Sequence, residues 1–260
     1  MRIGWLVDHH ETAGGAELTA QEFAAAAPDG IEIIDCRPGA IAEADAYVVH
    51  NCVSYPAWTV ESLEGKPVVK YVHDQWPHGS PTLRRYLLGH ARLIFCSPLH
   101  RERFPWRGVH VGADIPPACC PDERTARGDN AGTGAVWLGQ AGNVGKGVGQ
   151  AVKWANDNRV ALDFIGAGPY MPAPSEFVRP LGPVAPDEVA ATLARYERFV
   201  FLPSQVEPFG RAVVEAWAAG CELVVNELIG AMWWINNSPR RLDRTACTDA
   251  FWREVEAACS

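Results

Sequence analysis

The sequence predicts an α/β protein made of two domains, each a parallel sheet flanked by helices. Three observations carry this. Short apolar runs alternate with helix-forming segments over residues 2–111, and the alternation resumes over 135–226. Between them, residues 116–134 are rich in Pro, Gly and charge and lack apolar periodicity. That is the composition of a linker. A chain of 260 residues has room for two small domains of this kind. The divisions expected are residues 1–118, a linker over 119–134, and residues 135–239. A terminal helix within 240–260 is expected to return to the first domain.

In the first domain, Arg2–Val7 reads as a buried strand. Gly14-Gly15 follows at a strand-to-helix turn, and residues 16–27 are rich in helix formers. A glycine pair there lets a ligand or another backbone come close. Further strands are read at 30–35, 46–50, 67–73, 91–96 and 108–111. Two of them end in histidine, His50 before Asn51 and His73 before Asp74. Both histidines are expected at the carboxyl edge of the sheet, facing a cleft, where open α/β sheets bind ligands. His73 with Asp74, Gln75 and Trp76 is the stronger candidate. His9, His10 and Glu11 are adjacent and lack further partners in the pattern, so no metal is assigned to them.

In the second domain, strands are read at 135–139, 160–165, 177–181, 199–203 and 222–226. Helices are read at 150–156, 186–195 and, in the tail, 249–258. Gly142-Asn-Val-Gly-Lys-Gly147 looks like a phosphate loop but departs from the P-loop pattern, with Gln140 at the first required glycine and Gly147 where Ser or Thr would bind magnesium. It is not a dinucleotide fingerprint either. What remains is Lys146 in a glycine-rich loop after a strand, a suitable diphosphate contact.

The most informative stretch is Ser204–Gly220. Glu207 and Glu215 stand eight positions apart around Pro208-Phe209-Gly210-Arg211. The reading is strand, tight loop, helix, with Glu207 in the loop and Glu215 on the helix about two turns in. The N–H groups and positive dipole end of such a helix suit a diphosphate, and the carboxylates suit hydroxyl groups.

Composition limits the alternatives. Net charge is −8, which disfavours a broad footprint for nucleic acid. Arg84, Arg85, Arg101, Arg103 and Arg107 nevertheless make a local basic patch. No run of 18 apolar residues is present, and the apolar run at the N-terminus is too short for a signal peptide. Eight cysteines are scattered without C-x-x-C spacing, as buried thiols of a cytoplasmic protein would be.

Taken in order, these motifs resemble the retaining GT4-type glycosyltransferases of GT-B fold. Gly14-Gly-Ala-Glu17, Val72-His-Asp74, Val111-Gly-Ala-Asp114, Gly139–Gly147, Phe164-Ile-Gly-Ala-Gly-Pro169 and Glu207–Glu215 match the family's pattern at its expected spacing. The resemblance implies two Rossmann-like parallel-sheet domains facing a central cleft. It implies transfer of a sugar from a UDP- or GDP-sugar donor to a hydroxyl acceptor, with retention, without metal and without cofactor.

By the same resemblance, Lys146 would contact the diphosphate and Glu207 the hydroxyls of the transferred sugar. Phe209 and Gly210 would offer N–H groups, with Pro208 and Arg211 beside them. Glu215 would bind the ribose. Gly14 and Gly15 would approach the phosphates, and His73 the reacting sugar. Gly166, Gly168 and Val184 would border the base. His50, Asn51, Asp74, Trp76, Arg84 and Arg85 are the acceptor-side candidates. Gln140 stands where the family has an arginine, so a nucleotide-sugar-binding protein without turnover is the alternative. A hydroxylated DNA base is one candidate acceptor.

Overall fold

The computed structural model describes residues 1–8, 14–76, 79–106, 110–120, 132–142 and 144–260. His9, His10, Glu11, Arg107 and most of the expected linker lie outside them. The described chain divides into two compact units. One comprises Met1–Ala118 with Arg240–Ser260, the other Cys119–Pro239.

The first unit holds a six-stranded sheet. Its strands are β1 (Arg2–Leu6), β2 (Glu32–Cys36), β3 (Ala46–Val49), β4 (Val68–Val72), β5 (Arg92–Phe95) and β6 (His110–Asp114). Their order is β2-β1-β3-β4-β5-β6 and every pairing is parallel. The helices are α1 (Gly15–Ala25), α2 (Thr59–Leu63), α3 (Pro81–His90) and α4 (Pro98–Arg103). Ser80 caps α3 by accepting from Leu83 N, and Ser97 caps α4 by accepting from His100 N; each serine precedes a proline at the first helical position. The central strands β3 and β4 are buried along their whole length, as parallel strands covered on both faces must be.

The second unit holds a five-stranded parallel sheet. Its strands are β7 (Ala135–Gln140), β8 (Leu162–Ala167), β9 (Val178–Gly182), β10 (Arg198–Phe201) and β11 (Glu222–Val225), in the order β11-β10-β7-β8-β9. Around it lie α5 (Val148–Asn158), α6 (Val189–Leu193), α7 (Arg211–Ala218) and α8 (Gly230–Asn237). Trp137 and Phe164 pack at 5.6 Å in the core between neighbouring strands.

The last helix, α9 (Arg244–Cys259), belongs to the first unit. Phe251 stacks on Phe23 at 4.2 Å, Trp252 Nε1 donates to Phe23 O at 3.0 Å, and Glu254 pairs with Arg92 at 2.6 Å. It starts five residues before the expected 249. Asp243 accepts from Ala246 N at 3.1 Å, and this cap sets the start. Three other helices depart from expectation. The helix expected over 186–195 is a 3₁₀ turn at Pro186–Glu188 followed by the short α6. The helix expected over 150–156 spans Val148–Asn158. Helix α8 is not foreshadowed, because its Ala-Met-Trp-Trp run lacks a polar face. The eight cysteines are thiols, and all but Cys259 are buried.

Candidate active site

In the second unit, three loops meet at the carboxyl ends of β7, β10 and β11. The loop after β7 makes a 3₁₀ turn at Val144–Lys146 and enters α5 through Gly147, whose φ is +76°. A Cβ on Gly147 would lie 2.1 Å from Leu202 O, so only glycine lets this turn rest on the end of β10. Ser204 N donates to Gly145 O at 3.0 Å and ties the same two loops. Asn226, just past β11, donates to Pro203 O at 2.8 Å and accepts from Leu228 N at 3.2 Å.

Glu207 is held by its backbone on both sides. Its N–H donates to Leu228 O at 2.8 Å, and its carbonyl accepts from Gly230 N at 3.0 Å. Phe209 O accepts from Ala231 N at 2.8 Å, and the Phe209 side chain is buried. Thus the start of α8 fixes the Glu207–Phe209 loop. Lys146 and Glu207, 61 positions apart, then meet as an ion pair at 2.6 Å. Glu207 is mostly buried and Lys146 is about one-third exposed at its side chain.

Gly210, in the left-handed region at φ +87°, precedes α7, which begins at Arg211. Glu215 is therefore one turn into the helix rather than two, because the loop consumes the residues up to Gly210. Glu215 and Arg211 are both half-buried. Gly166 and Gly168, at φ +142° and +133°, abut Gly139 O and Ala141 O. Ala141 N donates to Ala167 O at 2.8 Å, locking these segments together. These two glycines are demanded by backbone packing whatever else they border. Gln140 is exposed at the end of β7, and Val184 is half-buried just past β9.

In the first unit, Gly14 caps α1 with φ −70°, an ordinary extended conformation, and Gly15 opens the helix. Among the described residues, a Cβ on Gly14 would meet the Glu17 carboxylate, at 2.2 Å. The glycine pair is thus not forced by backbone conformation at Gly14.

A concavity at the carboxyl edge of the six-stranded sheet brings together Asn51, Lys70, His73, Asp74, Trp76 and Arg84 over an apolar floor. Arg85 does not join them; it is exposed on another side of α3. His50 departs from expectation. It does not project into a cleft but is 1% exposed, packed on Trp5 at 4.8 Å and Tyr71 at 5.8 Å. Its Nδ1 lies 2.8 Å from His73 Nε2. The apolar aromatic shell explains why a strand-end histidine turns inward here.

Lys70 was hidden to sequence reasoning, because a lysine inside the run Val68-Val-Lys-Tyr-Val72 reads as a tolerated polar residue in a strand. The signal was its place among buried neighbours. Lys70 is buried and donates to His50 O. Burial pushes its pKa down, opposed by Cys52, Asp74 and Asp8. Burial, then the Lys70 charge, hold the His50 pKa well below its usual value. Asp8 organises the neighbouring loop, accepting from Val53 N at 2.6 Å and from Ser54 N at 2.9 Å.

Of the arginine patch, Arg101 pairs with Asp114 at 3.1 Å, which removes much of its value as a polyanion contact. Trp76 is exposed and packs edge-on against Trp106 at 5.4 Å. Among the described residues, no cluster of three His, Cys, Asp or Glu side chains could hold a metal ion. No described helix is long and apolar enough to cross a membrane.

The first unit also carries an acid-sensitive group. His100 is fully buried, with Nε2 3.0 Å from Asp74 O and Nδ1 3.1 Å from Cys96 Sγ. Burial pushes its pKa down to about 4, against the opposing effect of Asp74. Its folded pKa lies below the unfolded value of about 6.5, so the unfolded chain binds more protons between the two. Its share of stability is intact above pH 6.5 and is lost as pH falls towards 4. The cost reaches up to about 3 kcal/mol at 1.36 kcal/mol per unit. Urea midpoints should therefore fall steeply between pH 6.5 and 4. In His100→Gln that fall should shrink, and an equal fall in both proteins would refute the assignment.

No protein-family model matches the sequence, and no curated protein sequence matches it. Solved structures do match in fold. Anabaena HepE, crystallised with UDP and glucose, aligns with TM-score 0.67 at 15% identity, covering 100% of this chain and 97% of that one. An α-glucosyltransferase bound to UDP and a 13-mer DNA with an HMU base aligns at TM-score 0.59 and 13% identity, covering 100% and 94%. The T4 phage BGT in complex with UDP-glucose aligns at 0.57 and 10%, covering 99% and 90%. Identities this low show the fold alone. The fold is the two-sheet α/β architecture of the GT-B glycosyltransferases.

Proposed function

We propose that this chain is a GT-B glycosyltransferase of GT4-like type. It moves a sugar from a nucleotide-diphosphate sugar to a hydroxyl acceptor, with retention and without a metal, and it works in the cytoplasm. The observation that carries the reading is the Lys146–Glu207 pair at 2.6 Å, a cation and a carboxylate brought together by three loops at the carboxyl ends of a parallel sheet. Residues 135–239 bind the donor and residues 1–118 the acceptor.

In this reading, the bond from the sugar's anomeric carbon to the diphosphate oxygen breaks, and the diphosphate leaves with the electron pair. Lys146, with the amides at the start of α7, stabilises the charge that grows there. Glu207 holds hydroxyls of the transferred sugar, and Glu215 holds the ribose. The acceptor oxygen bonds to the anomeric carbon on the departing side, and its proton passes to the leaving phosphate. That route gives retention and asks for no carboxylate nucleophile. His73 attends the reacting sugar.

The UDP bound by the compared structures makes UDP-sugars the first donors to test, with GDP-sugars second. A DNA acceptor, prompted by the 13-mer DNA bound in one compared structure, is a weaker fit, because the net charge is −8 and Arg101 is engaged by Asp114. Gln140, exposed where the family places an arginine, supports the second reading of a nucleotide-sugar-binding protein without turnover.

A thermal-shift panel of UDP-, GDP-, ADP- and TDP-sugars tests the proposal. One donor should raise Tm and then release its nucleoside diphosphate slowly even without an acceptor. Stabilisation without any release, whatever hydroxyl acceptor is added, supports the binding protein. No stabilisation by any donor would sink both readings.

A further inference from the structure

We infer that His50 is a positioning residue that fixes His73 in the tautomer carrying its proton on Nδ1. The starting point is the 2.8 Å contact between His50 Nδ1 and His73 Nε2. One proton lies between these two nitrogens, and it belongs to one ring or the other.

If His73 donates it, His50 must carry its own proton on Nε2. That atom is fully buried and has no hydrogen-bond partner among the described residues. A buried N–H without an acceptor costs more than a ring nitrogen left with a bare lone pair. If His50 donates it, Nε2 is the bare atom, and the cost is the smaller one. A doubly protonated His50 would need a second acceptor, and the Lys70 ammonium donates to the carbonyl of that same residue. Among the described residues, the rings packed around His50 are those of Trp5, Tyr71, Phe251 and His73, none of them an anion. His50 therefore donates from Nδ1, and His73 accepts at Nε2.

The consequence falls on His73, which lines the concavity beside Asn51 and Asp74. With Nε2 occupied as acceptor, its proton sits on Nδ1. His73 then carries its proton as a donor at Nδ1 and cannot take one at Nε2 unless the pair breaks. Applied to sugar transfer, which rests on the reading above, His73 steadies an oxygen and does not act as general base.

The tautomer is read directly on the unliganded protein by long-range ¹H–¹⁵N NMR, so the outcome stands apart from any transferase assay. Wild-type His73 should show a protonated Nδ1 and a bare Nε2, with the ratio at least about tenfold in favour of Nδ1–H. In His50→Phe, which keeps a ring against Trp5, the ratio should collapse towards a mixture. In His50→Gln, whose amide N–H can donate, it should recover. Wild-type His73 protonated on Nε2, or a tautomer unchanged in a folded His50→Phe, overturns the inference. Where His50→Phe fails to fold, the wild-type spectrum alone decides.

Discussion

Lys146→Met is expected to lower the rate of nucleoside diphosphate release by about 10²–10³, the usual cost of removing one preorganised charge-stabilising group. The fold should survive. The Lys146 side chain is about one-third exposed, and the glycine that shapes its turn, Gly147, is untouched. In the unliganded protein the lysine is already engaged by Glu207 at 2.6 Å, so the arriving diphosphate must compete for it. Glu207→Gln should therefore have two effects of opposite sign. It releases Lys146 for the diphosphate and removes the acceptor for the sugar hydroxyls. Nucleoside diphosphate without sugar should bind Glu207→Gln at least as tightly as wild type, while turnover of the intact donor falls. The double variant should cost less than the sum of the single ones, as expected for groups in direct contact. Single-turnover release by a coupled assay measures the rate, and calorimetry with the diphosphate measures binding. A Lys146→Met rate within twofold of wild type would remove the lysine from the chemistry.

The sequence made the sheets legible because buried parallel strands are continuous apolar runs bounded by glycine, proline and charge. β4 and β7 are examples, each read to within about one residue of its ends. Glu207 and Lys146 were legible as separate candidates, each from its own loop. Their meeting was not, since it depends on Asn226, on Leu228 O and on the start of α8, none of which carries a local pattern. His50 and His73 both read as strand-end histidines facing a cleft, with His73 the stronger candidate. Among the described residues, the rings of Trp5 and Phe251 pack on His50 and not on His73, so one turns inward while the other lines the concavity, and Phe251 comes from the far end of the chain. Lys70 was silent for a related reason. A charged residue in a buried strand declares itself only when its partners are placed, and the His50 carbonyl is 20 positions away.

Gly166→Ala is expected to cost the second unit more than about 3 kcal/mol, among the larger effects of a single methyl group. A Cβ there would lie 1.8 Å from Gly139 O, and φ is +142°, where L side chains are rarely found. Neither partner can yield cheaply. Gly139 and Gly166 are register partners in the β7–β8 ladder, and the contact is backbone against backbone rather than against the end of a flexible side chain. Relief requires the end of β7 to move, and the loop that presents Lys146 begins there. The loss of stability should therefore be accompanied by a loss of donor binding. Gly149→Ala is the matched control. It lies near the start of α5, with no described atom within 4 Å of its Cβ, and alanine there should be neutral or stabilising by up to about 1 kcal/mol. Thermal unfolding of the two variants, each with and without the best donor from the panel, separates the cases. Gly166→Ala with a wild-type midpoint would mean that β7 and β8 approach less closely than described, and would remove the argument that the donor loop is positioned by that contact.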